Sequence, residues 1–559
     1  MRLRDRPAVH VVALLALAGA VLLPGLGQDL DFGSREARHA EIAREMVERG
    51  ELVVPYLLGE PYTLKPPLYN LAVARLYALT GQASILWARL PSALAAAGLV
   101  LVTYALGRRW YNPRTALWAA AMLPAFALVL IWGRTARPDM MMAAWIGLGV
   151  LLADCSAAAP SPRASWLFWI GACLAVSAGT LSKGGQAVFF FAVAAVALWR
   201  ARRRRWLPPL PQVGVALLLF LVVPVAWGLA CEIRSPGYVR AILSYQFGTG
   251  LREHPKRSTL YLEEIWLVTA PWGAFAFGAA WAAVRRLKRS GYDRVVAPGL
   301  VVLACLACMT PVPNRRDHYM LPLMPFWALF LAAFLDRGIG ASGEEPTGDV
   351  SPAIRRFLLV WPLRLCLLGF VAAALYAPFW WSSRVGRSTA WVAAGWACLA
   401  AGAVYGLQAT LRPSTGSGRR EPVERRGRLA SAVTTLLVLC LALAAGAFQA
   451  NRALLAVEPD PEVPMADEIV RAIPAGVPVG AFGVRSELLF FRLNRPVDYL
   501  PNKEAIPGFL QQPGSRYLIL RSDFVPVAQA GSARPLRLVG TWRFVEEKVN
   551  LAVLAADGP

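Results

Sequence analysis

The stretch "VHVVALLALAGAVLLPGLG", residues 9–27, is followed closely by "GSREARHAEIAREM", residues 33–46. The first stretch is apolar and approaches the roughly 20 residues that cross a bilayer as a helix. The second has helical spacing and is dense in arginine and glutamate. A linker needs no such density of charge, whereas a binding surface does. The pair of stretches therefore predicts a membrane span that leads directly into a functional helix outside the lipid.

The composition extends this interpretation to the whole chain. Its 559 residues are 57% hydrophobic and 17% charged, against about 25% charged in soluble domains. Apolar runs recur along the chain. Because lipid offers no hydrogen bonds to the backbone, we expect the segments that cross it to be helices. The formal charge of +23 comes from arginine clusters in short loops between apolar runs, where the positive-inside rule puts them. The basicity thus indicates membrane topology, and we expect no nucleic-acid partner.

Loop charge orders the apolar runs into about thirteen spans. Basic residues precede the first run, which lacks a clear cleavage site, so we expect it to remain as a span with a cytoplasmic N-terminus. An odd number of spans leaves the C-terminus outside. The expected spans are 8–26, 84–107, 114–133, 140–155, 165–181, 185–199, 210–230, 265–284, 295–310, 320–335, 357–381, 390–410 and 430–448.

The sequence therefore predicts an all-α polytopic membrane domain over residues 1–450, with an outer first loop at 27–83. The tail, 451–559, changes character and predicts a small α/β domain outside the membrane. Its expected helices are 465–473, 486–493 and 503–512, and its expected strands are 477–482, 516–520 and 550–555.

Ionisable residues collect in the loops that this topology places outside. Such groups at membrane depth are costly and tend to be functional. Several cations beside a few carboxylates suit an anionic lipid headgroup with an acid–base group nearby. The candidate catalytic carboxylates are Asp31, Glu36 and Asp139. The candidate substrate-binding residues are Arg35, Arg38, Glu41, Lys65, Lys183, Arg252, His254, Arg316, His318 and Tyr319.

Structural explanations for these residues stay open. The charges around Arg44 could form ordinary surface pairs along a helix. Lys65 could extend its ammonium to the headgroups without binding a ligand. Asp139 could be a structural partner of Arg35 or Arg38.

Signatures of metals and nucleotides are missing from the sequence. There is no HExxH, HxxxH or clustered acidic triad, and neither a P-loop nor a GxGxxG that opens a helix. Nearly all of the eight cysteines lie in or beside apolar runs, including Cys305 and Cys308 of the single CxxC. We therefore expect neither a metal nor a cofactor.

Several motifs in order resemble the GT-C membrane glycosyltransferases. They are "REARHAEIAREM", "GELVVPYLLGEPYTLKPPLYN", "ARPDM", "LSKG" and "RRDHYMLPLMP", within residues 8–335. The resemblance is to the bacterial branch of lipid A aminoarabinose transferases and, more distantly, to the protein O-mannosyltransferases. It implies transfer of a sugar from a polyprenyl-phosphate donor, such as one on undecaprenyl phosphate, to a lipid, glycan or protein acceptor at the outer face of the bacterial cytoplasmic membrane. We expect a monomer surrounded by membrane lipids.

The resemblance also implies roles for individual residues. The family places an acidic residue of the first loop beside the reacting centre, and the lysine before the paired prolines, here Lys65, on the carrier phosphate. Two positions depart from the branch: Arg35 replaces its usual aspartate, and Leu64 replaces a glutamate that helps to bind a metal. Both departures favour a metal-free site and leave Asp31 or Glu36 as the base. Arg252 and Arg316 would assist Lys65, and attack opposite the leaving phosphate would invert the anomeric centre.

Two other functions remain as alternatives. A transporter or flippase of lipid-linked sugars would show ionisable residues near mid-bilayer and broken helices in paired halves. A membrane scaffold or receptor would use the tail as its working part. The collection of charges at one side and the elaborate first loop favour the transferase.

Overall fold

The structure is a computed structural model. It describes residues 6–29, 32–201, 209–244, 259–290, 296–312, 315–339, 356–385, 390–411, 427–443, 462–544 and 547–557. Three candidate residues, Asp31, Arg252 and His254, lie outside this set.

The described chain is mostly helical up to residue 443. Its helices are α1 (Pro7–Leu22), α2 (Ser34–Arg49), α3 (Leu68–Thr80), α4 (Ile85–Trp110), α5 (Pro113–Met122), α6 (Ala127–Gly133), α7 (Pro138–Ala157), α8 (Pro162–Lys183), α9 (Gln186–Ala201), α10 (Leu210–Arg234), α11 (Tyr238–Ser244), α12 (Leu260–Val268), α13 (Ala276–Ser290), α14 (Ala297–Met309), α15 (Met324–Ile339), α16 (Trp361–Val385), α17 (Ala390–Leu411) and α18 (Gly427–Leu443). Short 3-10 turns lie at Leu123–Ala125, Trp272–Phe275 and Asp317–Leu323, and a π turn lies at Arg356–Val360. The first loop adds a hairpin of β1 (Tyr56–Leu57) and β2 (Glu60–Pro61).

A helix overlaps each of the expected spans, so the prediction of a mostly helical membrane protein is confirmed. By length and composition, five of the described helices can cross a membrane, or up to seven if each of two bent pairs is one span. The count of thirteen stays a prediction.

Two expected spans are bent pairs of helices, each of which is either a broken span or a re-entrant loop, so both stay predictions. The span expected at 114–133 bends by 63° between Pro113–Ala125 and Ala127–Gly133. The span expected at 265–284 bends by 112° between α12 and Trp272–Arg285. Pro124 and Pro271 lie at these breaks. A proline lacks the backbone N–H and crowds the preceding turn, which explains both interruptions.

The chain divides into two compact units. Residues 1–25, 92–227 and 243–451 form the first, here called the helical unit. Within it, α7 packs along α8, and the end of α1 is held by Arg134. The guanidinium of Arg134 donates to the carbonyls of Val21, Leu22 and Pro24 at 3.2, 2.8 and 2.6 Å. The carbonyls of Val21 and Leu22 end α1 and Pro24 follows it, so the buried arginine serves as the C-terminal cap of this helix.

Residues 26–91, 228–242 and 452–559 form the second unit, here called the loop–tail unit. The contacts thus group the first loop with the tail. The tail consists of α19 (Glu462–Ala472), β3 (Val479–Phe482), α20 (Glu487–Leu493), β4 (Val497–Tyr499), α21 (Ala505–Gln511), β5 (Arg516–Arg521), α22 (Val525–Gly531), β6 (Leu536–Phe544) and β7 (Val549–Ala556).

The tail is the small α/β domain that the sequence predicts. Its five strands lie in the order β4-β3-β5-β7-β6, with β4, β3 and β5 parallel and the other pairings antiparallel. On β5, Tyr517 and Ile519 pack in the core that includes α19 and α20, while Leu518 and Leu520 pack in the core that includes α21. The three expected strands are confirmed as β3, β5 and β7. The sequence missed β4 because it is short, and β6 because its side chains are largely exposed.

Candidate functional site

The helix after the first span is α2, and it is packed on nearly all sides. It begins after an extended Gly33 and ends at Gly50, whose φ of 65° is the left-handed conformation that suits a helix end. Between them, small residues let neighbouring elements approach closely. Arg44 and Glu45 are only 3% and 2% exposed. Arg44 with Glu48 and Arg49 with Glu45 do form pairs at i,i+4 spacing, but the buried Arg44 and Glu45 are not the surface groups that this interpretation expected.

Glu36 lies in the first turn of α2 and is buried against Arg89 of α4. The two carboxylate oxygens accept from Nε and Nη2 of Arg89 at 3.0 and 2.7 Å. Nη1 of Arg89 donates to the carbonyls of Leu26 and Gln28 at 3.2 and 3.0 Å, and the guanidinium lies 5.5 Å from the ring of Phe32. A carboxylate held by both oxygens is a fixed structural anion, so this geometry does not favour Glu36 as the base.

Two arginines flank Glu36 on the same helix. Arg35, at the position of the family's aspartate, is exposed. Arg38 forms an ion pair with Glu487 of the tail, with Nε 2.8 Å from Oε1. Arg38 therefore has a carboxylate partner within the loop–tail unit, and its pairing with Asp139 stays a prediction.

Glu41 belongs to a buried network around Arg44. It accepts from Nε and Nη2 of Arg44 at 2.8 and 2.5 Å and from the hydroxyl of Tyr499 at 3.1 Å. Although burial opposes it, the hydrogen bond and charge of Glu41 and the charge of Glu48 raise the pKa of Arg44 above its usual value. Burial and the negative charges of Glu41 and Glu45 raise the pKa of Tyr499 as well. Glu41 is thus enclosed by protein partners.

Glu45 holds the turn of the first-loop hairpin. Its carboxylate accepts from the backbone N–H groups of Leu58 and Gly59 at 2.5 and 3.1 Å. Gly59 has a φ of 82°, and a Cβ there would lie 2.8 Å from the Cβ of Tyr499. Only glycine fits this close approach. The hairpin that precedes the lysine loop is thereby fixed from two sides.

Lys65 follows that hairpin and is half-buried. Pro66 and Pro67 are buried, and α3 begins directly after them. In the first turn of α3, Asn70 lies against His39 of α2, with Oδ1 2.9 Å from Nδ1. The paired prolines thus present Lys65 immediately before a helix N-terminus, where backbone N–H groups favour an anion.

The helical unit contains a second group of candidate residues around Asp139. Asp139 opens α7 and is 3% exposed, and Lys183 closes α8 and is also 3% exposed. The ammonium of Lys183 forms an ion pair with Asp139. His318 approaches from the turn before α15, with Nε2 3.5 Å from Oδ1 of Asp139 and Nδ1 3.2 Å from Oδ1 of Asp317.

Aromatic rings surround this group. The His318 ring lies 4.3 Å from that of Trp132, and the Lys183 ammonium lies 4.7 Å from the centre of the Tyr319 ring. Arg137 and Arg316 both interact electrostatically with Lys183. The structure therefore brings together Asp139, Lys183, His318, Tyr319 and Arg316, which the sequence had selected from separate loops.

Charged side chains thus form one cluster on α2 and another around Asp139. Cations with fixed carboxylate partners can bind an anionic headgroup and stabilise a leaving phosphate. Within the described ranges, no group of three or more His, Cys, Asp or Glu residues is arranged to hold a metal ion. The expectation of a metal-free site stays a prediction.

Sequence reasoning missed four residues that define these clusters. Arg89, Asn70 and Arg137 lie in or beside apolar helices, and His39 lies within the charged helix α2. The signal for Arg89 was available, because an arginine five residues inside the expected span 84–107 needs a buried partner or a route to the headgroups. The His39–Asn70 pair carries no signal in sequence, since 31 positions separate its members.

The chain is similar to known proteins in sequence and in fold. A sequence model of the family described as dolichyl-phosphate-mannose-protein mannosyltransferase matches residues 64–227. An undecaprenyl phosphate-alpha-4-amino-4-deoxy-L-arabinose arabinosyl transferase of Pseudomonas aeruginosa is 29% identical over 314 residues, which are 54% of this chain and 55% of the relative. The chain thus matches about half the length of such curated relatives.

Solved structures extend the similarity to the whole fold. ArnT from Cupriavidus metallidurans in the apo state aligns with a TM-score of 0.68 at 17% identity, over 99% of both chains. The same protein bound to undecaprenyl phosphate aligns with a TM-score of 0.65 at 16% identity, over 99% of this chain and 98% of that one. The fold is shared from end to end, including the tail. The chain therefore shares its fold with ArnT and is similar in sequence, over about half of its length, to the aminoarabinose transferases.

Proposed function

We propose that this chain is an integral-membrane glycosyltransferase that moves a sugar from a polyprenyl-phosphate donor to an acceptor at the outer face of the cytoplasmic membrane. The observation that carries the proposal is the sequence match to undecaprenyl phosphate-aminoarabinose transferases over about half of the chain. The mannosyltransferase family model matches residues 64–227, a range that contains Lys65, Asp139 and Lys183. A shared fold with ArnT bound to undecaprenyl phosphate supports the same donor class.

The proposed donor site is cationic. Lys65 of the loop–tail unit binds the carrier phosphate, as the resemblance implies. Lys183 and Arg316 of the helical unit, together with Arg252, are further candidate cations for an anionic part of the donor. As the bond between the anomeric carbon and the phosphate oxygen breaks, its electron pair passes to the phosphate, whose growing charge these cations stabilise. Asp139 is a positioning residue, because its ion pair fixes the ammonium of Lys183. His318 and Tyr319 complete the wall around that ammonium.

The acceptor oxygen attacks the anomeric carbon from the opposite face, so we propose inversion. An acceptor hydroxyl must lose a proton to a base, whereas an acceptor phosphate need not. Both oxygens of Glu36 are bound to Arg89, which leaves Asp31 as the proposed base. Arg35 and Arg38 lie on the same helix and would orient an anionic part of either substrate.

The rest of the proposal concerns the membrane topology, location, metal content, oligomeric state and substrates of the chain. We propose thirteen spans, a cytoplasmic N-terminus, a tail outside the membrane, and a metal-free monomer in the bacterial inner membrane. The sugar is a pentose or hexose, and the acceptor is a lipid, a glycan or a protein of the cell envelope.

The test uses the purified full chain in lipid nanodiscs with undecaprenyl phosphate linked to 4-amino-4-deoxy-L-arabinose, glucose or mannose. Acceptors are extracted from the cell envelope, and product is detected by mass spectrometry. We expect transfer from at least one donor. Binding or translocation of all three donors without loss of their sugar would instead support the flippase.

The same mass spectrometry applied to cells identifies the acceptor. Surface glycolipids and glycoproteins are compared with and without this chain. We expect one class of envelope molecule to lose a single sugar when the chain is absent. An unchanged profile in both classes would contradict the proposal.

A further inference from the structure

The pair formed by His39 and Asn70 lies in the loop–tail unit, next in sequence to the Lys65 loop. His39 is on α2 and is 6% exposed, and Asn70 is in the first turn of α3 and is 1% exposed. Nδ1 of His39 lies 2.9 Å from Oδ1 of Asn70, and the His39 ring meets the Tyr69 ring edge-on at 5.7 Å. The hydroxyl of Tyr69 donates to the carbonyl of Ala88 at 2.8 Å. The pair is therefore held in place by both helices.

Only half of the Asn70 amide is used. Among the described residues, Nδ2 of Asn70 is buried and has no hydrogen-bond partner. Turning the amide by 180° exchanges its oxygen and nitrogen but still leaves one polar atom without a protein partner. A buried polar group in this state destabilises the folded chain. Such a group in a native structure calls for a partner outside the protein or a functional role.

The position of Asn70 in α3 shows which part of the chain lies next to its unpaired amide group. Asn70 is the third residue of α3, and side chains on a helix lean toward its N-terminus. The amide therefore leans toward the start of α3, and only Pro66 and Pro67 lie between this start and Lys65 in the sequence. This N-terminus has no side-chain cap, since its N-cap residue is Pro67. A cation, a helix N-terminus and a buried amide with unused hydrogen-bonding capacity thus lie in one short segment.

We propose that Asn70, held by His39, hydrogen-bonds to a hydroxyl of the donor sugar and so makes the site selective for the sugar. This inference rests on the proposed function and deepens it. Lys65 supplies the charge that a phosphate needs, whereas a neutral amide is suited to a neutral hydroxyl. A site built to bond a hydroxyl rejects a ligand that lacks it, because the buried group is then left without a partner.

The test separates the sugar from the phosphate. Asn70→Leu keeps the size of the side chain and removes its hydrogen bonds. Thr80→Val, at the exposed far end of α3, is the matched control. For each full-length variant we measure thermal unfolding without ligand, the affinity for sugar-free undecaprenyl phosphate, and KM for the sugar-bearing donor used by the wild type.

We expect Asn70→Leu to unfold at the same temperature as the wild type or higher, because it removes a buried group without a partner. Its affinity for undecaprenyl phosphate should change by less than about twofold, while KM for the donor rises about tenfold or more. Thr80→Val should match the wild type throughout. Equal losses with and without the sugar would overturn the proposal in favour of a phosphate contact.

A lower unfolding temperature of Asn70→Leu with an unchanged KM would overturn the proposal, because it would show that Asn70 binds a buried structural water. His39→Phe keeps a ring but loses the bond to Asn70, so it should raise KM in the same direction. The double variant should be no worse than Asn70→Leu alone, and additive effects would contradict the role of His39.

Failure of the proposed function is distinguishable from failure of this inference. If the wild type transfers no sugar, the difference in affinity between sugar-bearing and sugar-free undecaprenyl phosphate is compared directly. A difference that Asn70→Leu abolishes supports the sugar contact even then. A difference that Asn70→Leu leaves unchanged contradicts it.

Discussion

Arg89 and Glu36 illustrate at the residue scale how this chain buries charge. The guanidinium meets both carboxylate oxygens and two backbone carbonyls, so each of the two ions is surrounded by partners. Desolvation of both ions offsets much of their attraction, so the intact pair adds little net stability. Removal of one partner is different, because the other charge stays buried without compensation.

Glu36→Ala is therefore expected to lower the free energy of unfolding by about 3–5 kcal/mol. Arg537→Ala is the control, since Arg537 and its partner Asp557 are 57% and 62% exposed and such a pair contributes about 0–1 kcal/mol. Unfolding of both variants is measured in detergent against the wild type. Normal stability with complete loss of sugar transfer in Glu36→Ala would instead make Glu36 the base.

Glu45 gives a prediction about pH. Burial and the negative charge of Glu41 raise the pKa of Glu45 above its usual value. The folded chain thus binds this proton more readily than the unfolded chain, and the stability that the group contributes is lost as pH rises through the raised pKa. From pH 7 to about pH 5, the wild type should gain more in unfolding temperature than Glu45→Gln.

Glu60→Gln is the control for Glu45→Gln, because it removes an exposed carboxylate of the same hairpin. It should keep the pH dependence of the wild type. Identical pH dependence in the wild type and Glu45→Gln would contradict the assignment.

At the scale of elements, the tail is attached to α2 by a polar bridge within the loop–tail unit. Glu462, at the start of α19, accepts a hydroxyl hydrogen bond from Ser34 and another from Ser486, the latter at 2.5 Å. Ser34 lies in the first turn of α2, and Ser486 is the N-cap of α20. A carboxylate near two helix N-termini is favoured by their dipoles. The bridge therefore fixes the end of α2 that carries Arg35 and Glu36.

Glu462→Ala should loosen this end of α2 without unfolding the tail. Hydrogen exchange of the amides at 36–40 should quicken, with a local opening free energy lower by about 1–3 kcal/mol. Glu468→Ala is the control, since Glu468 accepts only from the indole of the half-buried Trp542 among the bonds that the structure describes, at 2.9 Å. Unchanged exchange at 36–40 in Glu462→Ala would show that the bridge does not fix the helix.

At the scale of the whole molecule, hydropathy and loop charge predicted where helices lie and which residues gather near their ends. Asp139 and Lys183 were both selected as candidates, but their pairing depends on how α7 packs along α8, which a single sequence does not encode locally. The breaks at Pro124 and Pro271 went unrecognised because the apolar runs continue through them. The grouping of the first loop with the tail was likewise invisible, since hundreds of residues separate them.

Topology is tested by fusing reporters to the ends of the loops. Alkaline phosphatase, which is active only outside the cytoplasm, should be active after residue 559 and inactive after the arginine-rich loop at 108–114. A fluorescent protein that folds only in the cytoplasm should give the opposite pattern. Fluorescence from a fusion at residue 559 would contradict the proposed orientation of the tail.

The proposed sugar transfer depends on the binding of a polyprenyl phosphate by Lys65. Release of sugar-free undecaprenyl phosphate from a labelled donor is measured with the purified wild type, with Lys65→Ala, and with Lys503→Ala, which removes an exposed lysine of the tail. We predict turnover by the wild type and Lys503→Ala, and a loss on the order of 100-fold or more in folded Lys65→Ala. Equal release by all three proteins, or none by the wild type, would contradict the account.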